Sequence, residues 1–432
     1  MLSIIIILSI ALAIFLGYRT KINTGLFCIV FAYIIGCFVM GLKPKQIIGF
    51  WPTSTMFVIL SVSLFYNFAA INGTLEKMSG ALLYACRNFP GLLPYALFAV
   101  AVILSVMGAT FFTVLAFLAP ITLVICDESR MDKLTGAVAI NCGALAGGNF
   151  PTSNLGVVFR GLSDTAYEAS PEIAAVDSFN MEMKIFAFAI FFSLILITIF
   201  RFGFKENRNI GKGVTFKKPE SFTKDQKTTL TLMMAMMAVV LIFPLLNILM
   251  PGNAAVKYIS GKVDVGLVAI IFTVIALLLK LAPQKEAIAK VPWNTIIMIA
   301  GAGMLIAVAV EAGTIEALST WIGSNVPKPL VPIAFCLVGA IMSFFSSTTG
   351  VVAPALFPLI PNLAASVGLS APVLFACTIL GAQSSAISPF SSGGSTPKEE
   401  ERNELFNRLL MVAVPISVIT CTIYNFVIAM VL

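Results

Sequence analysis

The chain contains no histidine and little charge. Of its 432 residues, 11% are Asp, Glu, Lys or Arg. Without imidazole, the side chain that titrates closest to neutrality is missing, so any proton handling falls to other groups. The eight cysteines stand singly in or beside apolar segments, with no C-x-x-C spacing, which argues against a structural metal site or a disulfide framework. A Gly-rich phosphate loop is also absent, and with it the usual means of ATP-driven pumping. The net charge of +7 is spread along the chain, so it does not point to nucleic acid as a partner.

What is abundant is apolar: 59% of residues are hydrophobic, the composition of a polytopic membrane protein. Runs such as Leu2–Leu16, Thr24–Met40 and Thr229–Met250 are long enough to cross a bilayer. The first of them lacks a basic leader, and its charges (Arg19, Lys21) follow it, so it reads as a transmembrane helix and not as a signal peptide.

The sequence repeats itself. Lys21, Gly25, Leu26, Ile29 and Phe31 recur as Lys262, Gly266, Leu267, Ile270 and Phe272, and GTLEKMS at Gly73 recurs as GTIEALS at Gly313. GALAGGNFPTSNLG (143–156) lies over GAQSSAISPFSSGG (381–394) at an offset of 238 residues, which also carries Ser105, Thr110 and Pro120 onto Ser343, Thr348 and Pro358. Matches in one order at one nearly constant offset indicate internal duplication. The division is a first repeat (1–203), a cytoplasmic linker (204–228) and a second repeat (229–432).

Each half reads alike. The first has helices near 2–18, 24–41, 53–71 and 74–88, a long apolar stretch at 91–126 broken at 107–110, a broken helix at 135–160 and a helix at 180–203. The second has 229–250, 262–281, 293–311, 314–325, a stretch at 330–364 broken at 346–350, a broken helix at 372–395 and a helix at 405–432. The interrupted stretches exceed the roughly 20 residues of one span, so each is expected to be a re-entrant hairpin. Five spans per half then make the halves inverted with respect to one another. With the basic linker inside, Lys43, Lys45, Arg160, Lys184, Lys257, Lys262 and Lys328 fall outside, leaving 20 of the 27 basic residues (27 − 7) on the cytoplasmic side. Both termini then face out. The fold class is all-α, two inverted repeats of five transmembrane helices plus one re-entrant hairpin each.

Irregular backbone survives at membrane depth only inside protein or against water. Paired breaks in inverted halves are the pattern of a transport site near the midplane, where helix N-termini attract an anion and freed carbonyls and hydroxyls suit a hard cation.

Hairpin tips of small residues followed by Thr and then Pro, with Gly/Pro/Ser-rich broken helices, resemble the ion transporter superfamily, in particular the divalent anion–sodium symporters and the MatC-type dicarboxylate carriers. The resemblance covers nearly the whole chain. Its best piece is SFFSSTTGVVAPALFP (343–358), where the family's Ser-Asn-Thr tip falls on Ser346, Ser347 and Thr348; in the first half it falls on Gly108, Ala109 and Thr110. The resemblance implies a substrate site formed by these six residues with Asn154, Ser392 and Gly393. It implies sodium sites at Ser105, Gly108 and Ser153, and at Ser343, Ser347 and Ser391. Ala109 has no side-chain oxygen, so the first sodium site would rely on backbone oxygens. SPFSSGG, in place of the family's Pro-Pro-Asn, is closer to the MatC-type carriers and implies malonate or a C4-dicarboxylate. The resemblance further implies sodium as coupling ion, an elevator mechanism and a homodimer in a plasma or inner membrane. A proton-coupled carrier or exchanger, and the membrane subunit of a TRAP-type binding-protein-dependent complex, remain open; neither these nor the main reading makes the chain an enzyme.

Arg160 reads as an interfacial residue at the outer end of its helix, and Glu311 as a cap or interfacial acid. Met233–Met237 read as packing or lipid-facing, and Lys398–Glu404 as a solvated helix start.

Overall fold

Backbone polar groups that leave water must be bonded within the segment, and the apolar runs accordingly fold as helices. The computed structural model describes residues 2–20, 22–85, 90–205, 207, 220–250, 253–260, 262–345, 347–388, 405 and 408–431. Among them there is no strand. The first half comprises α1 (Leu2–Thr20), α2 (Thr24–Tyr33, continued as a π-helix through Val39), α3 (Pro44–Gly49), α4 (Thr53–Ile71), α5 (Thr74–Ala85), α6 (Leu93–Val106), α7 (Phe111–Ser129), α8 (Lys133–Gly148), α9 (Asn154–Glu168) and α10 (Ser178–Gly203). The second comprises α11 (Lys224–Leu249), α12 (Ala254–Ser260), α13 (Val265–Leu278), α14 (Gln284–Ala289), α15 (Trp293–Glu311), α16 (Thr314–Asn325), α17 (Val331–Phe345), a π-segment (Thr348–Val352), α18 (Ala353–Leu356), α19 (Ile360–Val367), α20 (Ala371–Ser385) and α21 (Val414–Val431).

Six described helices are long and apolar enough to cross a membrane, and five shorter apolar helices of 10–17 residues accompany them. The chain is a multi-pass membrane protein. One of the six is Thr348–Val367, the downstream arm of the second expected hairpin. α16 and α17 meet at a 120° bend.

Similar packing recurs at the 238-residue offset. α6 lies on α8, and α17 on α20. A Cβ at Gly143 would come within 2.5 Å of the Phe98 carbonyl oxygen, and one at Gly381 within 2.3 Å of that of Cys336, so glycine is required at both crossings. Phe98 and Cys336 are themselves 238 residues apart. One turn on, Gly147 presses against the Val102 carbonyl; at the same offset Ser385 donates its hydroxyl to the Ala340 carbonyl at 2.7 Å. The halves also exchange helices: α2 packs on α15, and α4 on α13. At the first of these crossings a Cβ on Gly301 would fall 2.0 Å from the Gly25 carbonyl oxygen. Asn23 caps α2 and reaches across to the Asn294 carbonyl at 2.7 Å.

Two short helices, α3 and α14, stand where the sequence reads as loop. Each is six residues long and lies just ahead of α4 or α15. At that length no apolar periodicity can register.

Candidate functional site

The first tip forms where α6 stops at Val106. Gly108 sits at φ +91°, a left-handed conformation, and a Cβ there would meet the Tyr66 ring at 2.3 Å. Ala109 is buried and its amide donates to the Leu104 carbonyl at 3.0 Å. Thr110 starts α7 as its N-cap: its hydroxyl oxygen accepts from the Thr113 amide at 3.3 Å and pairs with the Thr113 hydroxyl at 2.8 Å. Ser105 is fully buried, and its hydroxyl has no hydrogen-bond partner.

The first broken helix parts between Gly148 and Asn154. Ser153 is fully buried and donates its hydroxyl to the Phe150 carbonyl at 2.8 Å and to that of Gly148. Asn154 opens α9, with its amide nitrogen 3.4 Å from the Ser63 hydroxyl. The first amides of α9 therefore point at the break, the positive end of that helix. Thr152 is buried with its hydroxyl unpartnered.

At the second tip the Ser347 hydroxyl accepts from the Gly350 amide at 3.3 Å and lies 3.2 Å from that of Thr349. Buried Ser343 pairs with Thr348, hydroxyl to hydroxyl, at 3.1 Å. The segment Thr348–Val352 packs on α9, the helix that starts at the first break, and on α20. Ser346, Ser391, Ser392 and Gly393 lie outside the described residues, as do residues 208–219 of the linker and Lys398–Glu404.

The first broken helix and α20 are joined by a contact with no signal in the local sequence. Asn149 Nδ2 donates to Gln383 Oε1 at 3.0 Å, and Gln383 Nε2 donates back to Asn149 Oδ1 at 2.7 Å. Both side chains are buried, so this paired-amide bond crosses the interface between the halves beside the first break.

A cavity of about 610 Å³ lies elsewhere. The start of α4, the second half of α9, the start of α13, α15 and residues 354–358 enclose it. It reaches inward as far as Val157, one turn past Asn154, and among the described residues none of the expected site residues lines it. Arg160 does, although the sequence places it at an interface with solvent. Its Nη1 donates to the Pro151 carbonyl in the break at 3.2 Å, its guanidinium carbon lies 5.4 Å from the centre of the Phe179 ring, and its Nε is buried without a partner. Asp164, Glu168, Asp264 and Glu311 add carboxylates to the same wall, all of them exposed.

Behind Arg160 stands Glu182, which the sequence reading passed over. It is fully buried, and neither carboxylate oxygen has a hydrogen-bond partner. The signal was available: an acid in the opening turns of an apolar spanning helix is costly, and such acids mark function.

A helix interrupted by polar backbone, bonded at its break to a second helix inside a multi-pass membrane protein, is the pattern of a membrane transporter. Residues 1–148 match the family model for the N-terminus of the dicarboxylate carrier protein MatC. The fold is similar to that of the Alcanivorax borkumensis YdaH transporter, with a TM-score of 0.64 and 16% identity over 88% of this chain and 87% of that one. It is also similar to Neisseria gonorrhoeae MtrF, described among a class of antimetabolite efflux pumps, with a TM-score of 0.61 and 14% identity over 93% of this chain and 84% of that one. At these identities the likeness is one of fold. No curated protein matches the chain in sequence.

Proposed function

We propose that this protein is a secondary active transporter of small dicarboxylates, malonate or a C4-dicarboxylate, coupled to sodium. The observation that carries the reading is the conjunction of the dicarboxylate-carrier match over residues 1–148 with a break, Asn149–Ser153, that begins at the next residue and leads into α9, which packs on the second-tip segment. A dianion has two charged ends, and the duplicated site offers two helix starts, at Thr110 and at Ser347–Thr348, without any Lys, Arg or His between them. Sodium would be held by carbonyls and hydroxyls beside the tips: Ser105, Gly108 and Ser153 in one half, Ser343, Ser347 and Ser391 in the other.

The two halves are taken as inverted repeats with both termini outside. The tips are taken as re-entrant, and the hairpins and broken helices as the moving part of an elevator within a homodimer. Uptake of labelled malonate and succinate by liposomes containing only this protein, with and without an inward sodium gradient, tests the reading. Accumulation that needs sodium supports it. Accumulation that ignores sodium and collapses with a protonophore replaces sodium by the proton, and uptake only with an added binding protein replaces it by the TRAP-type arrangement. Cysteines placed at Thr165 and Lys212 test the topology, which fails if both label from the same side.

A further inference from the structure

Arg160 and Glu182 are left over from this account, and they are the least satisfied charged groups among the described residues. Four carboxylates act on Arg160: Asp164, Glu182, Asp177 and Asp264. Three of them are occupied. Asp164 accepts from the Ser178 hydroxyl at 3.2 Å, Asp177 caps α10 through the Phe179 amide at 2.9 Å, and Asp264 caps α13 through the Leu267 amide at 2.8 Å. Glu182 accepts nothing. The one charged group that acts on it is Arg160. The other helices packed on α10 bring no charge near it: α6, α20 and α21 carry none, and α8 carries only Lys133 at its far end, paired with Asp127 at 3.0 Å.

An ionised carboxylate buried with both oxygens unbonded loses several kcal/mol of solvation that nothing returns. The neutral acid avoids that loss. Arg160 has meanwhile turned its guanidinium to the Pro151 carbonyl, inside the break. Arginine keeps its charge in either position, so an ionised Glu182 would find a charged partner in Arg160.

We propose that Glu182 is a proton-binding site and that Glu182 and Arg160 form a proton-operated latch on the broken helix α8–α9. With the proton on Glu182, Arg160 holds the Pro151 carbonyl and the break is fastened. When the proton leaves to water through the cavity, Arg160 swings to the new carboxylate, and the Pro151 carbonyl is released to a cation or to movement of the break. Glu182 itself does not line the cavity, but its neighbours Arg160 and Phe179 do, and with the exposed acids Asp164, Glu168, Asp264 and Glu311 on the same wall they are where its proton would reach solvent. The latch rests on the transporter reading for its purpose, but its chemistry can be observed without any cargo.

The test uses the purified full-length protein reconstituted in liposomes. Infrared difference spectra taken across a pH series should show the band of a protonated carboxylic acid that fades as pH rises and is missing in Glu182→Gln. In Arg160→Gln the acid loses the partner of its ionised form, so the band should persist to higher pH. Counterflow of labelled succinate should follow pH in the wild type and lose that dependence in Glu182→Gln. An unchanged band in Glu182→Gln, a band in Arg160→Gln that titrates as in the wild type, or a pH profile of counterflow that survives Glu182→Gln would each overturn the latch. If wild-type liposomes move neither malonate nor succinate, the proposed cargo is wrong, and the infrared titration still decides the latch.

Discussion

Two buried acids flank the broken helix α8–α9, Asp132 at its start and Glu182 on α10 beside Arg160, and they are treated oppositely. At the start, Asp132 is fully used. One carboxylate oxygen accepts from the Leu134 and Thr135 amides at 2.9 and 3.2 Å, the other meets Arg408 at 2.6 Å, and its own amide donates to Asn207 at 2.9 Å. Past the break, Glu182 has no partner and Arg160 has only part of one. Charge that only has to hold a structure is bonded until nothing remains unsatisfied. Charge left unsatisfied in a fold that elsewhere satisfies it so thoroughly is the kind that has two arrangements to choose between.

Removing the satisfied charge should do the most damage. Asp132→Ala breaks a cap and a buried ion pair together, and should cost about 3 kcal/mol of stability in thermal unfolding of the detergent-purified protein. Wild-type stability in that variant would erase the contrast. The Asn149–Gln383 pair belongs with the satisfied groups. Asn149→Leu should cost about 2 kcal/mol because Gln383 is left buried and unbonded, while the double variant with Gln383→Leu should recover most of it. Purely additive losses would mean the two amides do not depend on each other.

The two tips sharpen the comparison at smaller scale. Thr348→Val should weaken dicarboxylate affinity about tenfold, the equivalent of one hydrogen bond to a charged group. Thr110→Val should do the same and also cost about 1 kcal/mol of stability, because Thr110 caps α7, whereas in the second half the cap is Ser347. Equal affinity in wild type and both variants would remove the tips from the substrate site. Glu182→Leu is the mirror image of Asp132→Ala. It should raise stability by about 1 kcal/mol, since two unbonded buried oxygens disappear, while abolishing the pH response of counterflow. A destabilised Glu182→Leu would place this acid with Asp132 after all.

Much of this was legible in the chain. Gly108 and Thr110 inside an apolar run mark the first tip because glycine and threonine there serve a turn and a cap and serve a straight lipid-facing helix poorly. The ranges 53–71, 293–311 and 314–325 are met residue for residue, since Pro52, Pro292 and Gly313 stand immediately before them. What was not legible depends on partners remote in sequence. Asn149 and Gln383 are 234 positions apart and do not correspond under the repeat, so no comparison of the halves would pair them. Arg160 at the end of an apolar segment looks interfacial because its sequence neighbours cannot show that α4, α13 and α15 close a cavity around it.

The exchange of helices between the halves bears on how such a chain could have arisen. Because α2 rests on α15 and α4 on α13, either half alone would lack two of the helix contacts it makes here. The glycine contact of Gly25 with Gly301 has one member on each side of the central loop. Were the halves descended from one unit, that unit would have needed a second copy to supply these contacts. Fusion would then have replaced a concentration-dependent meeting by an intramolecular one, leaving the copies free to diverge. The same logic reads forward: a gene cut at the central loop should still yield an assembled protein when both fragments are made in one cell, and an unstable one when either is made alone.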